Sequence, residues 1–98
     1  MRDEKIRKSI QMHAEFMEQE ICILEGPAFD KSIIGITKEG QLIYDYYKMI
    51  EELVDEDNIS YEDATEYIEY NTLRGIDYME NRPIICYLSR EGLLETYF

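Results

Sequence analysis

Acidic side chains without intervening bases are the strongest chemical signal in this sequence. The segment between Lys48 and Arg74 contains no basic residue and nine acidic ones. These are Glu51, Glu52, Asp55, Glu56, Asp57, Glu62, Asp63, Glu66 and Glu69. Like charges at helical i,i+3 and i,i+4 spacing cost a helix a few tenths of a kcal/mol per pair, so the series does not help folding. A fixed array of carboxylates can instead attract a basic surface and accelerate its encounter by long-range steering.

Tyrosine is enriched beside these acids. The chain has nine tyrosines and no tryptophan, and most of the tyrosines lie in or beside the acidic segment. A tyrosine ring combines an apolar body with a hydrogen-bonding tip, which suits it to anchor an interface. Helical angles put Tyr46 and Tyr61 on the buried side and leave Tyr47 and Tyr70 as interface candidates. The predicted partner-binding residues are Glu51, Asp55, Glu62, Glu66, Glu69 and Tyr70.

The segment from Asp55 to Glu66 partly matches a calcium-binding EF-hand loop. Asp55, Asp57 and Glu66 stand at its first, third and last ligand positions. Ile59, however, has no ligand side chain where the loop needs one, and Ser60 stands where the tight bend needs glycine. Ser60 also fits a helix N-cap, which competes for the same backbone. We therefore predict no metal site and no cofactor.

The sequence contains no recognisable catalytic motif. It has no Gly-rich phosphate loop, no nucleophile elbow and no HExxH or CxxC metal or redox motif. His13 is the only histidine, and it has no cysteine or histidine at ligand spacing. We interpret His13 as an imidazole at the edge of the core, and we predict a protein that is not an enzyme.

Length and charge restrict the remaining functions. Ninety-eight residues fit one domain over residues 1–98. The formal charge of −12 repels phosphates and disfavours direct binding to nucleic acid. No apolar run approaches the roughly 18 residues of a transmembrane helix, and the charged N-terminus does not resemble a signal peptide. We expect a cytoplasmic protein with no membrane partner.

Cys22 and Cys86 each lie in a short apolar stretch. Two isolated thiols without a secretion signal are typical of buried, reduced cysteines in a reducing compartment. A disulfide between them stays open, because the sequence does not determine the distance between their Cα atoms.

The elements that position these side chains follow from periodicity. An amphipathic helix is predicted over residues 3–21 from its apolar stripe, which Met12 and Phe16 widen. That stripe contains Ile6, Ile10, His13, Ala14, Met17 and Ile21. β-Branched residues predict a hairpin with strands over 32–37 and 41–44, joined by a turn in which Gly40 takes a positive φ.

Two helices are predicted after the hairpin. Asp45 caps the first of them, whose buried side contains Tyr46, Met49, Ile50 and Leu53. Ser60 and Asp63 form a capping box that begins the second, while Ile59 and Ala64 stand at hydrophobic-staple positions. The inward side of this second helix is predicted to contain Tyr61, Ala64, Ile68 and Asn71.

The end of the chain completes the predicted architecture. Gly75 weakens or ends the second of these helices. Residues 84–88 can form a third strand that pairs with the hairpin, and Ser89 can start a short C-terminal helix through Leu93 and Leu94. The fold class is α+β, with an N-terminal amphipathic helix, a small sheet and two helices that present acidic faces.

Two segments together resemble a known group of proteins. One runs from Phe29 to Tyr46 and continues with Lys48-Met-Ile-Glu-Glu, and the other is Ser60-Tyr-Glu-Asp-Ala-Thr-Glu-Tyr-Ile-Glu-Tyr-Asn-Thr. Over residues 29–86 the chain resembles a family of small acidic proteins carried by phages and prophages of Gram-positive bacteria. That family often has proline after the third helix, where this chain has Gly75-Ile-Asp77. The resemblance implies an intracellular protein of a mobile element and supplies no catalytic residue.

These observations predict a non-enzymatic binding protein that inhibits a host nucleic-acid-processing or defence protein by occupying its basic surface. Small acidic phage proteins often act in this way, anti-CRISPR proteins and DNA mimics among them, and the step is an analogy from size, source and charge. The alternative is a structural or assembly module that forms a homodimer through its N-terminal helix, with acids that serve only solubility. The salt dependence of association distinguishes the two hypotheses, because salt screens ion pairs but does not screen apolar contacts.

Overall fold

Helices and a small sheet make up the described part of the chain, and the predicted α+β fold class is confirmed. The computed structural model describes residues 2–88. The helices are α1 (Glu4–Met17), α2 (Tyr46–Asp57), α3 (Tyr61–Tyr67) and α4 (Leu73–Ile76). A 3-10 turn spans Asp30–Ser32, and a π-helical turn at Ile68–Thr72 joins α3 to α4. The strands are β1 (Ile33–Ile36), β2 (Leu42–Asp45) and β3 (Ile84–Cys86).

α1 is the predicted amphipathic helix, but it is shorter than predicted. Asp3 caps its start, because the Asp3 carboxylate accepts hydrogen bonds of 3.1 Å from the N–H groups of Lys5 and Ile6. The helix ends at Met17 because Glu18 adopts the left-handed conformation, with a φ of 55°. The prediction of a helix that continues to residue 21 is therefore wrong.

β2 is the central strand of the sheet, whose order is β1-β2-β3. β1 and β2 form the predicted antiparallel hairpin, and Gly40 in its turn has a φ of 89°. β3 pairs with the other edge of β2 in parallel, with Ile85 opposite Tyr44. A parallel pair requires a crossover connection, which α2, α3 and α4 supply. This crossover carries all the residues of the predicted binding surface. The C-terminal helix predicted from Ser89 through Leu93 and Leu94 lies outside the described residues.

α2 begins directly at the end of β2 and packs its apolar side into the core. Asp45 caps the helix as predicted, because its carboxylate accepts a 3.2 Å hydrogen bond from the Tyr47 N–H. The predicted buried side is also confirmed, since four side chains of α2 are at most 7% exposed. These are Tyr46, Met49, Ile50 and Leu53.

Glu52 departs from the predicted pattern. Glu52 is one of the nine acids from which two acidic helix faces are predicted, yet the residue is buried. Its carboxylate accepts a 2.7 Å hydrogen bond from the Ser32 hydroxyl, so one carboxylate oxygen has a hydrogen-bond partner inside the protein. The contact joins α2 to the 3-10 turn, so Glu52 supports the fold and is removed from the acidic surface.

The π-helical turn changes which residues after α3 face the core. Ala64 and Ile68 are fully buried, as predicted. The wider turn inserts one extra residue into the helical repeat, so the next inward positions move forward by one. Asn71 is consequently exposed, and Leu73 and Ile76 pack against the core in its place. The prediction of an inward Asn71 is wrong for this reason.

Tyr61 is a second correction on α3. It was predicted to face inward, but 57% of it is exposed. At this end of the helix the staple residue Ile59 packs against the core instead. Tyr61 therefore belongs to the surface of α3.

Both cysteines are free thiols. Each is half-buried, so the predicted burial is only partial. Cys86 lies on β3, an edge strand of the sheet, and Cys22 lies on the segment between α1 and the sheet, where its Sγ is 3.7 Å from Sδ of Met79. Neither position is enclosed on every side.

Candidate functional site

A concavity along α3, the π-helical turn and the start of α4 brings most of the predicted binding residues together. We call it the α3 cleft, and its volume is about 620 Å³. It is lined by Tyr61, Glu62, Thr65, Glu66, Glu69, Tyr70 and Arg74. The predicted residues Glu62, Glu66, Glu69 and Tyr70 are thus neighbours in the structure.

Local interactions at the start of α3 hold the cleft in shape. The Ser60 hydroxyl accepts a 3.0 Å hydrogen bond from the Asp63 N–H, so the predicted N-cap is confirmed. The Thr65 hydroxyl donates a 2.9 Å hydrogen bond to the carbonyl of Tyr61 one turn earlier. Ala64 and Ile68 anchor the opposite side of the helix in the core. The carboxylates of the cleft therefore project from a fixed helical backbone.

Glu69 is tied to α2 by a side-chain contact. The Tyr46 hydroxyl donates a 2.7 Å hydrogen bond to the Glu69 carboxylate. Burial raises the pKa of Tyr46, and the hydrogen bond to Glu69 raises it further, because both disfavour the phenolate. The Glu69 side chain is thus held in one orientation within the folded protein.

Tyr46 in turn belongs to a cluster of three tyrosine rings. Its ring centroid lies 4.6 Å from that of Tyr87 and 5.6 Å from that of Tyr47. Tyr47 and Tyr87 meet edge to face at 6.3 Å. Tyr47, the second interface candidate of the sequence, is 37% exposed and therefore supports Tyr46 while it keeps a solvent-facing edge.

Tyr70 and Arg74 form a cation–π pair at one end of the cleft. The guanidinium carbon of Arg74 lies 5.2 Å from the centroid of the Tyr70 ring. Tyr70 remains 59% exposed, so one ring carries a cation and still offers contact area. This pair is the only cation–π contact identified within residues 2–88.

The two predicted residues on α2 lie elsewhere. Glu51 and Asp55 line a separate concavity of about 290 Å³ together with Glu52, Glu56, Lys31 and Lys48. None of its lining residues lines the α3 cleft. Two lysines reduce the negative potential there, whereas Arg74 is the single base that lines the α3 cleft. The six predicted residues thus form a group of four and a group of two.

Three residues of the α3 cleft were missed by sequence reasoning. Tyr61, Thr65 and Arg74 line it beside the predicted acids. A signal was available, because Tyr61, Thr65 and Glu69 follow one another at i,i+4 spacing on a helix. The row that contains Glu62, Glu66 and Tyr70 has the same spacing and continues to Arg74. Two such neighbouring rows define one helix surface.

The partial calcium-loop match does not produce a cation site in the described part of the chain. Within residues 2–88 no group of three or more His, Cys, Asp or Glu side chains is arranged to hold a metal ion. Ser60 serves as the N-cap of α3, and Ile59 packs toward the core.

No protein-family model, curated protein or solved structure matches this chain. The resemblance to small acidic phage and prophage proteins therefore stays a prediction. None of the helices within residues 2–88 combines the length and the apolar character needed to cross a membrane.

Proposed function

We propose that this protein is a non-enzymatic binding protein whose acidic surface on α2 and α3 occupies a basic surface of another protein. The observation that carries the proposal is the α3 cleft, in which Glu62, Glu66 and Glu69 lie beside Tyr70 in a concavity of about 620 Å³. Exposed tyrosine rings supply contact area in addition to charge, and tyrosine is enriched at the energetic centres of interfaces. The partner chemistry that fits is a segment rich in arginine or lysine.

Arginine suits the cleft for two reasons. Carboxylates accept charge-assisted hydrogen bonds from a guanidinium, which are stronger than those between neutral groups. Aromatic faces attract the same group, as the stacking of Arg74 on Tyr70 within this chain illustrates. Tyr61 is 57% exposed and lines the same cleft, so it provides a second ring for an incoming cation.

Glu51 and Asp55 have a supporting role in this proposal. Their concavity also contains Lys31 and Lys48, which partly offset its negative charge. We assign them to long-range attraction of the partner, and we assign direct contact to the α3 cleft.

The partner class that we propose is a host protein with a nucleic-acid-binding surface, which this protein inhibits in the cytoplasm. Such surfaces are basic because lysine and arginine neutralise phosphates, so a carboxylate surface competes for the same side chains. The formal charge of −12 supports this role. The resemblance to small acidic phage and prophage proteins favours it too, as an anti-defence inhibitor or nucleic-acid mimic.

Charge reversal in the cleft tests the proposal. The immobilised protein and its Glu62→Lys, Glu66→Lys, Glu69→Lys triple variant are each used to capture proteins from a lysate of a Gram-positive bacterium. We expect the unmodified protein to retain a nucleic-acid-binding protein at about 50 mM salt and to lose most of it at about 500 mM, because salt screens exposed charges. The triple variant should retain none, and added duplex DNA should displace the partner from the unmodified protein.

A matched control separates the cleft from net charge. Glu20→Lys, Glu39→Lys and Glu80→Lys reverse three exposed acids outside the helices and change the net charge by the same amount. This variant should capture the partner at least half as well as the unmodified protein. Equal capture by both variants would reject the α3 cleft as the binding surface, and circular dichroism verifies that each remains folded.

A further inference from the structure

α1 presents apolar side chains that the described part of the chain leaves uncovered. Phe16 is 85% exposed and Met12 is 62% exposed, in an amphipathic helix whose opposite side buries Ile10. Exposed apolar residues of this size, when they are adjacent, are typical of an interaction site.

An apolar groove lies next to these side chains, between α1 and the hairpin. Its volume is about 370 Å³. Lys5, Ser9 and His13 line it on α1, and Gly35 lines it on β1. The remaining lining residues are all apolar: Ile6, Ile10, Ile33, Ile36 and Leu42. Ser9 and Gly35 are the smallest of these residues, so the groove is open between them.

Phe16 and the groove are on the same flank of α1. At about 100° per residue, Phe16 lies within about 20° of Ser9 around the helix axis, and Met12 lies about 60° from Ser9. The groove, Phe16 and Met12 therefore form one continuous apolar surface, which we call the α1 surface.

The bases of α1 all lie in its first half. These are Lys5, Arg7 and Lys8, beside the single acid Glu4, whereas Glu15 lies near the end of the helix and is followed by Glu18. Lys8 and Glu15 are seven residues apart and share a flank of the helix. A second α1 in the antiparallel direction brings Lys8 of one copy close to Glu15 of the other, twice, whereas a parallel copy brings like charges together.

We propose that a second copy of this chain covers the α1 surface, with the two α1 helices antiparallel. A two-fold axis near Met12 and His13 places Phe16 of each copy opposite Ser9 of the other, at the opening between Ser9 and Gly35. The arrangement is closed and self-complementary, because one patch supplies both the protruding ring and the groove that receives it. The Lys8–Glu15 pairs define the direction of the helices. This interface is independent of the α3 cleft and of its proposed partner.

Sedimentation of the full chain tests the proposal at protein concentrations from about 10 μM to about 1 mM, which covers weak homodimers. We expect a dimer that persists at about 500 mM salt, since apolar contacts are not screened. Phe16→Ser should raise the dissociation constant at least about tenfold, as expected for an aromatic anchor. Tyr78→Ser is the matched control: Tyr78 is 90% exposed and lies outside α1, so the dimer should remain.

Charge exchange tests the direction of the helices. Lys8→Glu and Glu15→Lys should each weaken the dimer, and the double variant should restore it, because the exchanged pairs attract again. Single variants without effect would overturn the antiparallel arrangement. A monomer throughout the concentration range would overturn the proposal as a whole. Should a dimer then appear only after removal of residues 89–98, that segment would be the occupant of the groove in the intact chain.

Discussion

The guanidinium of Arg7 forms a two-point ion pair with the carboxylate of Asp30, which is completely buried. Arg7 Nε lies 2.6 Å from one carboxylate oxygen, and Nη2 lies 3.0 Å from the other. Asp30 also accepts a 2.6 Å hydrogen bond from the Asp3 N–H, and Arg7 contacts Glu25 from its remaining Nη1 atom. The first turn of α1 is thereby joined to the 3-10 turn that precedes β1.

A second buried contact joins the segment after α1 to the sheet. The Tyr44 hydroxyl, on the central strand, accepts a 3.0 Å hydrogen bond from the Leu24 N–H. Burial is the main reason that the pKa of Tyr44 is raised to about 12. α1 and the segment after it are therefore held to the sheet by polar contacts as well as by Ile6 and Ile10.

Removal of one partner of the Arg7–Asp30 pair should strongly destabilise the fold. We expect Asp30→Ala to lower the free energy of unfolding by about 3–5 kcal/mol, because it leaves a nearly buried guanidinium without its main partner. Urea unfolding followed by circular dichroism measures the loss. The double variant Arg7→Met, Asp30→Leu should recover most of it, since neither charge then remains buried. Arg2→Ala is the control and should cost less than about 1 kcal/mol, because the ion pairs of Arg2 with Glu4 and Glu25 are exposed.

The free energy of unfolding should decrease at acidic pH because of the ionisation of Asp30. Burial alone raises the pKa of a carboxyl group, but the hydrogen bonds from Arg7 and from the Asp3 N–H outweigh it, so the Asp30 pKa lies below its usual 3.8. The unfolded chain then binds a proton more readily than the folded one. The Asp30 contribution is complete above the usual pKa and is lost as pH falls through the lower folded pKa.

Urea unfolding at several pH values between about 2 and 6 measures this dependence. Asp30→Asn should unfold with a shallower acid slope than the unmodified protein. Asp77→Asn should keep the original slope, because Asp77 is exposed and pairs only weakly with Arg82. An unchanged slope in Asp30→Asn would contradict the assignment of the acid sensitivity to Asp30.

The contribution of the Ser60 N-cap to the free energy of unfolding should be measurable with substitutions at this one residue. Ser60→Ala removes the acceptor of the Asp63 N–H and should cost about 1 kcal/mol of unfolding free energy. Ser60→Asp keeps an acceptor at the same place and should retain most of the stability. If both variants unfolded at the same urea concentration as the unmodified protein, the cap would not stabilise the fold.

Deletion of Asn71 should be tolerated. Asn71 lies in the π-helical turn and is exposed, and its removal would restore a regular α-helical repeat from Ala64 to Ile76. Ala64, Ile68 and Ile76 would keep their inward positions. We therefore expect a folded protein whose unfolding free energy changes by less than about 1.5 kcal/mol. Deletion of the buried Ile68 is the contrasting variant and should prevent folding.

Local sequence signals predicted the elements with short-range causes. Asp45 and Ser60 cap the helices that they were expected to cap, because an N-cap needs only a hydrogen-bond acceptor within three residues. Gly40 lies in the hairpin turn, and the four inward residues of α2 are buried. Where a local irregularity has no clear sequence signal, the same reasoning failed. The left-handed Glu18 shortens α1, and the π-helical turn moves Asn71 to the surface.

The candidate site was predictable in part for the same reason. Glu62 and Glu66 share the α3 cleft because they lie on one helix, where spacing alone determines the face. Glu51 and Asp55 lie on a different helix, and their relation to the cleft depends on how α2 packs against α3. Periodicity within each helix contains no information about that packing.

What this sequence determined by itself is the strong negative charge of one crossover segment and the helices that carry it, because both follow from residue type and local spacing. Only the tertiary structure decided which acids are buried and which face solvent. Asp30 and Glu52 are buried because Arg7 and Ser32, 23 and 20 residues away, supply hydrogen bonds that offset the cost of desolvation. The same carboxyl groups would remain in water without those partners.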